Sequence, residues 1–213
     1  MKKYVAELIG TFALVFCGTG AIIINEQSGG AITHVGIAIT FGLIVMAMIY
    51  ALGDSSGAHL NPAVTLAFWV ARSFPAKEIL PYIISQAVGA FTASLTLKYL
   101  FPANTALGST LPAGAPMQSF VLELILTFIL MFVILNVSSG AKEKGITAGI
   151  AVGATVCLEA MFAGPICGAS MNPVRSLASA VVSGNIHSLW IYLTAPFAGA
   201  VIAVYAFKYI KTE

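Results

Sequence analysis

Two asparagines, Asn61 and Asn172, stand at equivalent places in two near-copies of one short box. The first reads Gly57-Ala58-His59-Leu60-Asn61-Pro62-Ala63-Val64 and the second Gly168-Ala169-Ser170-Met171-Asn172-Pro173-Val174-Arg175-Ser176. Asn is a favoured N-cap, and Pro is at home in the first helical turn, where its missing N–H would be unpaired anyway, so each box reads as the start of a helix. The apolar runs that follow, Pro62 to Val70 and Pro173 to Val182, are too short to cross a bilayer. Paired short helices in two halves of a chain are the pattern of broken helices meeting near the membrane midplane. Their N-termini, each equivalent to about half a positive charge, would converge and repel a cation. The side-chain amides of Asn61 and Asn172 would offer donors to a passing water or hydroxyl. The unwound residues before each box, Gly57, Ala58, His59 and Gly168 among them, would offer backbone carbonyls, which is tolerable at membrane depth only beside a wet cavity or inside protein. The arrangement suits a pore for neutral hydrogen-bonding molecules.

Such half-helices need a membrane around them, and the composition supplies that reading. Hydrophobic residues make up 59% of the 213 and charged residues only 8%, with a mean hydropathy of +0.95. That is too little polar surface for a water-soluble globule. Six stretches approach the roughly 20 apolar residues that span the hydrocarbon: Tyr4 to Ile24, His34 to Leu52, Leu80 to Leu100, Gln118 to Ser138, Ile146 to Phe162 and Leu189 to Ile210. The expected fold is an all-α membrane protein of six transmembrane helices plus two re-entrant half-helices.

Charge orients the spans. With the N-terminus cytoplasmic, Lys2, Lys3, Arg72, Lys77, Lys142, Lys144, Lys208 and Lys211 fall inside, and only Lys98 and Arg175 of the ten basic residues lie elsewhere. The positive-inside rule then places both termini in the cytoplasm of a plasma (inner) membrane. The net charge of +2 is a topological signal and not a nucleic-acid footprint. Met1-Lys2-Lys3 before an apolar run resembles a signal peptide, but the run is long, carries Glu7 and has a counterpart later, so it reads as a retained span. Cys17, Cys157 and Cys167 show no metal-ligand spacing and imply no disulfide framework.

The duplication extends beyond the boxes. Ala6-Glu7-Leu8-Ile9-Gly10-Thr11-Phe12 recurs as Leu122-Glu123-Leu124-Ile125-Leu126-Thr127-Phe128, and Tyr82 with Gly89-Ala90 recurs as Tyr192 with Gly199-Ala200. The chain reads as one channel domain, residues 1–213, built of repeats at about 1–101 and 118–213 joined by an uncharged extracellular loop, 102–117. Three spans per half invert the second repeat relative to the first, so the two boxes enter the membrane from opposite sides.

Buried carboxylates within spans are candidates for proton coupling. Symmetric placement of Glu7 and Glu123 favours a supporting role instead, each accepting backbone N–H bonds from the loop that leads into a half-helix. Glu159 is expected to do similar work for the second loop. His59 either lines the pore or fastens its loop. Arg175 either reaches the outer interface or serves as an anchored donor and positive barrier. Gly145, Gly149 and Gly153 line one face of the fifth span, as close helix packing requires. Three function classes follow. A passive channel leads, and an ion-coupled secondary transporter shares the broken helices but needs a titrating centre. A membrane enzyme has no His-Glu-x-x-His, Gly-x-Ser-x-Gly or His/Cys cluster to work with, so no enzymatic activity and no cofactor are expected.

The paired boxes, Arg175 after Asn172, His59 before Asn61 and the twin Glu7 and Glu123 segments resemble the aquaporin family of major intrinsic proteins along essentially the whole chain. Phe162-Ala163-Gly164-Pro165, the second box, Val182-Ser183-Gly184-Asn185 and Ser188-Leu189-Trp190-Ile191-Tyr192 are most similar to the nodulin-like branch. That resemblance implies a homotetramer passing water and small uncharged solutes, such as glycerol, urea and neutral metalloid hydroxides. It also implies an outer selectivity filter, which the family's spacing puts at Phe41, Ala160, Ala169 and Arg175. Ala160 stands where water-selective relatives usually carry His, which makes the filter comparatively wide. Val174 departs from the usual Asn-Pro-Ala but remains apolar, so a small change in pore width and no change of class is expected.

Overall fold

A computed structural model describes residues 1–138 and 142–211, with the backbone alone for 142–145. The side chains of Lys142 and Lys144, the surroundings of Gly145 and the last two residues of the second repeat therefore lie outside the description. The helices are α1 (Lys2–Gln27), α2 (Thr33–Ser56), α3 (Pro62–Val70), α4 (Ile79–Leu100), α5 (Pro116–Ser138), α6 (Lys142–Cys167), α7 (Pro173–Ser183) and α8 (Leu189–Ile210). Six are long and apolar enough to cross a membrane, and no strand occurs among the described residues. Both half-helices begin at the proline that the boxes predict.

Packing repeats between the halves. α5 lies against α8 as α1 lies against α4, and α6 lies against α5 as α2 lies against α1. At the two equivalent crossings, a Cβ on Gly89 would collide with the Leu8 carbonyl and one on Gly199 with the Leu124 carbonyl. Only glycine lets these backbones approach so closely. α2 and α6 also cross on small residues, where Gly153 meets the Gly42 carbonyl and Gly149 meets the Tyr50 ring. An ion pair from Lys3 Nζ to Glu78 Oε2 (2.9 Å) joins the starts of α1 and α4 at one face.

Two spans outrun their apolar patterns. α2 continues through Gly53-Asp54-Ser55-Ser56 and stops where Gly57 turns left-handed, at φ +84°. That is the usual glycine stop, and Tyr82 Oη donates to the freed Ser56 carbonyl at 2.9 Å. α6 runs to Cys167 instead of ending near Phe162, with Pro165 inside it. Proline has no N–H for the carbonyl one turn back, here that of Met161. The His34 ring compensates, its Nε2 lying 2.7 Å from Met161 O. The connection between the halves also differs from a free loop. Leu107 and Thr110 are buried, and Ala113 N donates to Ile166 O at 2.9 Å. It packs onto the end of α6, and α5 takes up Pro116 and Met117 of the expected 102–117 segment.

Candidate pore

Asn61 caps α3 by accepting from Ala63 N through Oδ1 (2.9 Å), and Asn172 caps α7 by accepting from Val174 N (3.2 Å) and Arg175 N (3.4 Å). The nitrogens of the same two amides cross to the other box. Asn61 Nδ2 donates to Met171 O at 2.7 Å and Asn172 Nδ2 to Leu60 O at 2.8 Å. The half-helices therefore meet N-terminus to N-terminus, tied by a reciprocal pair of bonds. Each amide nitrogen carries two hydrogens. One is engaged in the crossing bond, so each Asn can offer only one donor to a passing molecule.

The loops before the asparagines share an unusual backbone. Gly57, Ala58 and Leu60 have φ of +84°, +47° and +52°, and Gly168, Ala169 and Met171 have +83°, +40° and +52°. Left-handed conformations are costly for residues with a side chain and persist only when their surroundings fix them. Here buried carboxylates supply the fixing. Glu7 accepts from His59 N (2.9 Å) and Leu60 N (2.7 Å). Glu123 accepts from Ser170 N (2.8 Å) and Met171 N (2.8 Å).

The two supports are not equal. Glu7 also accepts from Ser56 Oγ (2.7 Å) and Gln86 Nε2 (2.8 Å). The residue before the second box is Cys167 where the first has Ser56, and four residues past Tyr192 stands Pro196 where Gln86 follows Tyr82. Glu123 therefore has no counterpart of the Gln86 amide, and a thiol stands where Glu7 has the Ser56 hydroxyl. Glu159 does not replace them. Its carboxylate is fully buried and neither oxygen has a hydrogen-bond partner among the described residues, so the expectation that it holds the second loop is corrected: the Ser170 and Met171 N–H groups go to Glu123 instead.

A cavity of about 880 Å³, open solvent at its mouth included, runs from Val137, Ser138 and Ala148 to Phe41 and Arg175. Leu14, Val45, Ile49, Leu130, Ile134, Val152 and Val156 form an apolar wall, and both boxes face it with Gly57, Ala58, His59, Leu60, Asn61, Ala169, Ser170, Met171 and Asn172. Among the described residues none that lines it is acidic, and Arg175 carries the only guanidinium or ammonium group there. Its Cζ lies 5.3 Å from the Phe41 ring centroid, and its buried Nη1 has no hydrogen-bond partner among the described residues, leaving a donor for whatever passes. Pro62, Ala63, Pro173, Val174 and Gly168 are not among the lining residues. Neither is Ala160, which lies one turn of α6 past Val156, buried in the same cluster as Ala169.

His59 stands at the cavity edge and is held there by its neighbours. It borders the cavity, its Nδ1 lies 3.1 Å from Thr65 Oγ1, and its ring stacks on Phe68 at 4.8 Å. Sequence reasoning gave no role to Tyr82 and Tyr192, whose hydroxyls donate to the carbonyls of Ser56 and Cys167 at 2.9 and 2.8 Å. Their recurrence beside the Gly-Ala pairs was the available signal. Gln86 had none, because the second half lacks a counterpart.

Residues 1–207 match the family described as MIP, major intrinsic protein. The chain belongs to that family. Among its relatives, "Aquaporin NIP1-1" of Oryza sativa subsp. japonica is 48% identical over 212 residues, covering 99% of this chain and 75% of the relative. "Aquaporin NIP1-2" of Arabidopsis thaliana is 45% identical over 219 residues, covering 99% and 74%. The aquaglyceroporin from Plasmodium falciparum has a similar structure, with a TM-score of 0.87, 27% identity and coverage of 99% and 96%. This aquaporin is thus a multi-pass membrane protein of a non-enzymatic channel family, a passive channel for water and small solutes.

Proposed function

We propose that this aquaporin conducts glycerol-sized uncharged solutes as well as water, with urea and neutral metalloid hydroxides such as boric and arsenous acid in its range. The observation that carries the reading is the cavity itself: one apolar wall faces a row of loop polar groups and the half-helix N-termini, with no acidic side chain on it among the described residues. A molecule with hydroxyls along one edge and carbon along the other fits such a lumen. Cations meet two positive dipole ends and Arg175. The narrow outer filter comprises Phe41, Ala160, Ala169 and Arg175, with Ala160 one turn of α6 past Val156. Phe41 is the filter's single aromatic, and its two alanines leave room beyond the width of water. The chain works as one channel domain of repeats at about 1–101 and 118–213, joined by an extracellular connection. It acts as a homotetramer in a plasma membrane with both termini cytoplasmic, which the distribution of lysines supports.

Stopped-flow swelling of proteoliposomes under water, glycerol, urea, boric acid and arsenite gradients tests the solute range. Glycerol and at least one neutral hydroxide should enter well above the rate of protein-free vesicles. Water permeation with every larger solute excluded would overturn the reading.

A further inference from the structure

Phe41 owes its position to a glycine that never touches the lumen. Gly18 is buried in the middle of α1, and a Cβ built there would lie 2.5 Å from both Cδ1 and Cζ of Phe41 and would overlap Cε1. The Phe41 ring rests face-on in the space that the missing side chain leaves. The Arg175 guanidinium lies across the lumen, its Cζ 5.3 Å from the ring centroid. Sequence reasoning offers no hint of this pairing, since Gly18 lies in an apolar run that also contains Gly10 and Gly20.

We infer that Gly18 is a specificity-determining residue of this channel: it acts through Phe41, setting how far the ring stands back from Arg175 and hence the largest solute that passes. The inference rests on the proposal that Phe41 and Arg175 form the constriction. A methyl group at 18 cannot coexist with the ring as placed. Cβ contacts below 3.0 Å force something to move, and the movable partner is the free end of a side chain. Displaced from α1, the ring goes toward the guanidinium and into the opening. Helix propensity does not oppose the change, since Ala is a better helix former than Gly. Width is therefore what Gly18→Ala alters.

The test is a four-member cycle in proteoliposomes: the unaltered protein, Gly18→Ala, Phe41→Ala and the double variant, each assayed for the glycerol-to-water permeability ratio at matched protein content. Gly18→Ala should lower the ratio several-fold, since a narrower opening excludes the larger molecule first. Phe41→Ala should raise it, and the double variant should match Phe41→Ala, since the methyl then meets no ring. Three outcomes overturn the inference. An unchanged ratio in Gly18→Ala, with Phe41→Ala effective, removes Gly18 from control of the filter while leaving the filter in place. An equal drop with and without the Phe41 ring shows that Gly18 acts elsewhere. No effect of Phe41→Ala removes the constriction itself. Should Gly18→Ala fail to reach the membrane, recovery of yield in the double variant upholds the ring clash, and no recovery overturns it.

Discussion

Lys98 and Lys208 hold equivalent places at opposite faces of the molecule. Lys98 Nζ donates to Val182 O at 3.0 Å, near the end of α7, and Lys208 Nζ donates to Val70 O at 2.9 Å, the last residue of α3. Each lysine belongs to the last span of one repeat and reaches the half-helix of the other. Carbonyls at a helix C-terminus lack intrahelical partners and carry the negative end of the dipole, so an ammonium is the appropriate cap. This gives Lys98 a role independent of the charge asymmetry expected of the other lysines.

Removing either ammonium should therefore destabilise the fold modestly without touching the lumen. Lys98→Met and Lys208→Met should each cost about 0.5 to 1 kcal/mol, read as a lowered thermal midpoint in detergent, with the arginine replacements recovering most of it. Water permeability per folded channel should stay unchanged. A loss of permeability without a loss of stability would contradict the capping role.

Glu7, Glu123 and Glu159, each fully buried, should separate sharply. Glu123→Ala strands two buried loop N–H groups at about 1 to 3 kcal/mol each, so folded yield should fall severely. Glu7→Ala should be at least as harmful, since four donors converge there. Glu159→Gln removes no hydrogen bond among the described residues and should leave yield and flux near their original values. Thermal melts of the three purified variants check the order, and equal damage from Glu159→Gln would refute it.

What the sequence shows of this arrangement depends on distance along the chain. The boxes are legible because an N-cap and its proline are neighbours and act locally, and duplication supports both Asn61 with Asn172 and Glu7 with Glu123. The spans are legible from hydropathy, but their ends are not. α6 passes Phe162 because His34, far away in sequence, serves the carbonyl that Pro165 cannot. Glu159 looks like a third support from its position beside Ala160, yet a carboxylate on a helix serves a loop only if it points there. Lys98, Gln86 and Gly18 are invisible for the same reason: their partners come from the other half or another helix.

Arg175→Val removes the one guanidinium that the described residues place on the lumen, along with a buried donor. Cation leak through the variant should rise by about tenfold or more, the scale of a 1.4 kcal/mol change in barrier, while water flux persists. Potassium efflux from vesicles measures it. A cation-tight variant would shift the barrier to the half-helix dipoles alone.

Ala160→His places a bulky polar ring one turn beyond Val156, near Ala169 and Arg175. Glycerol permeability should fall several-fold more than water permeability, since width excludes the larger molecule first. An unchanged ratio would put Ala160 outside the constriction and leave Val156 as the contribution of α6.

The broken helices also occur in ion-coupled transporters, and coupling to an ion gradient is what a passive pore lacks. In proteoliposomes carrying an imposed pH or sodium gradient, glycerol uptake is followed to equilibrium with and without proton and sodium ionophores. Passive conduction predicts equal internal and external glycerol at the end point and rates indifferent to the ionophores. Accumulation above the external concentration, abolished by an ionophore, would contradict it and make Glu7 and Glu123 coupling sites.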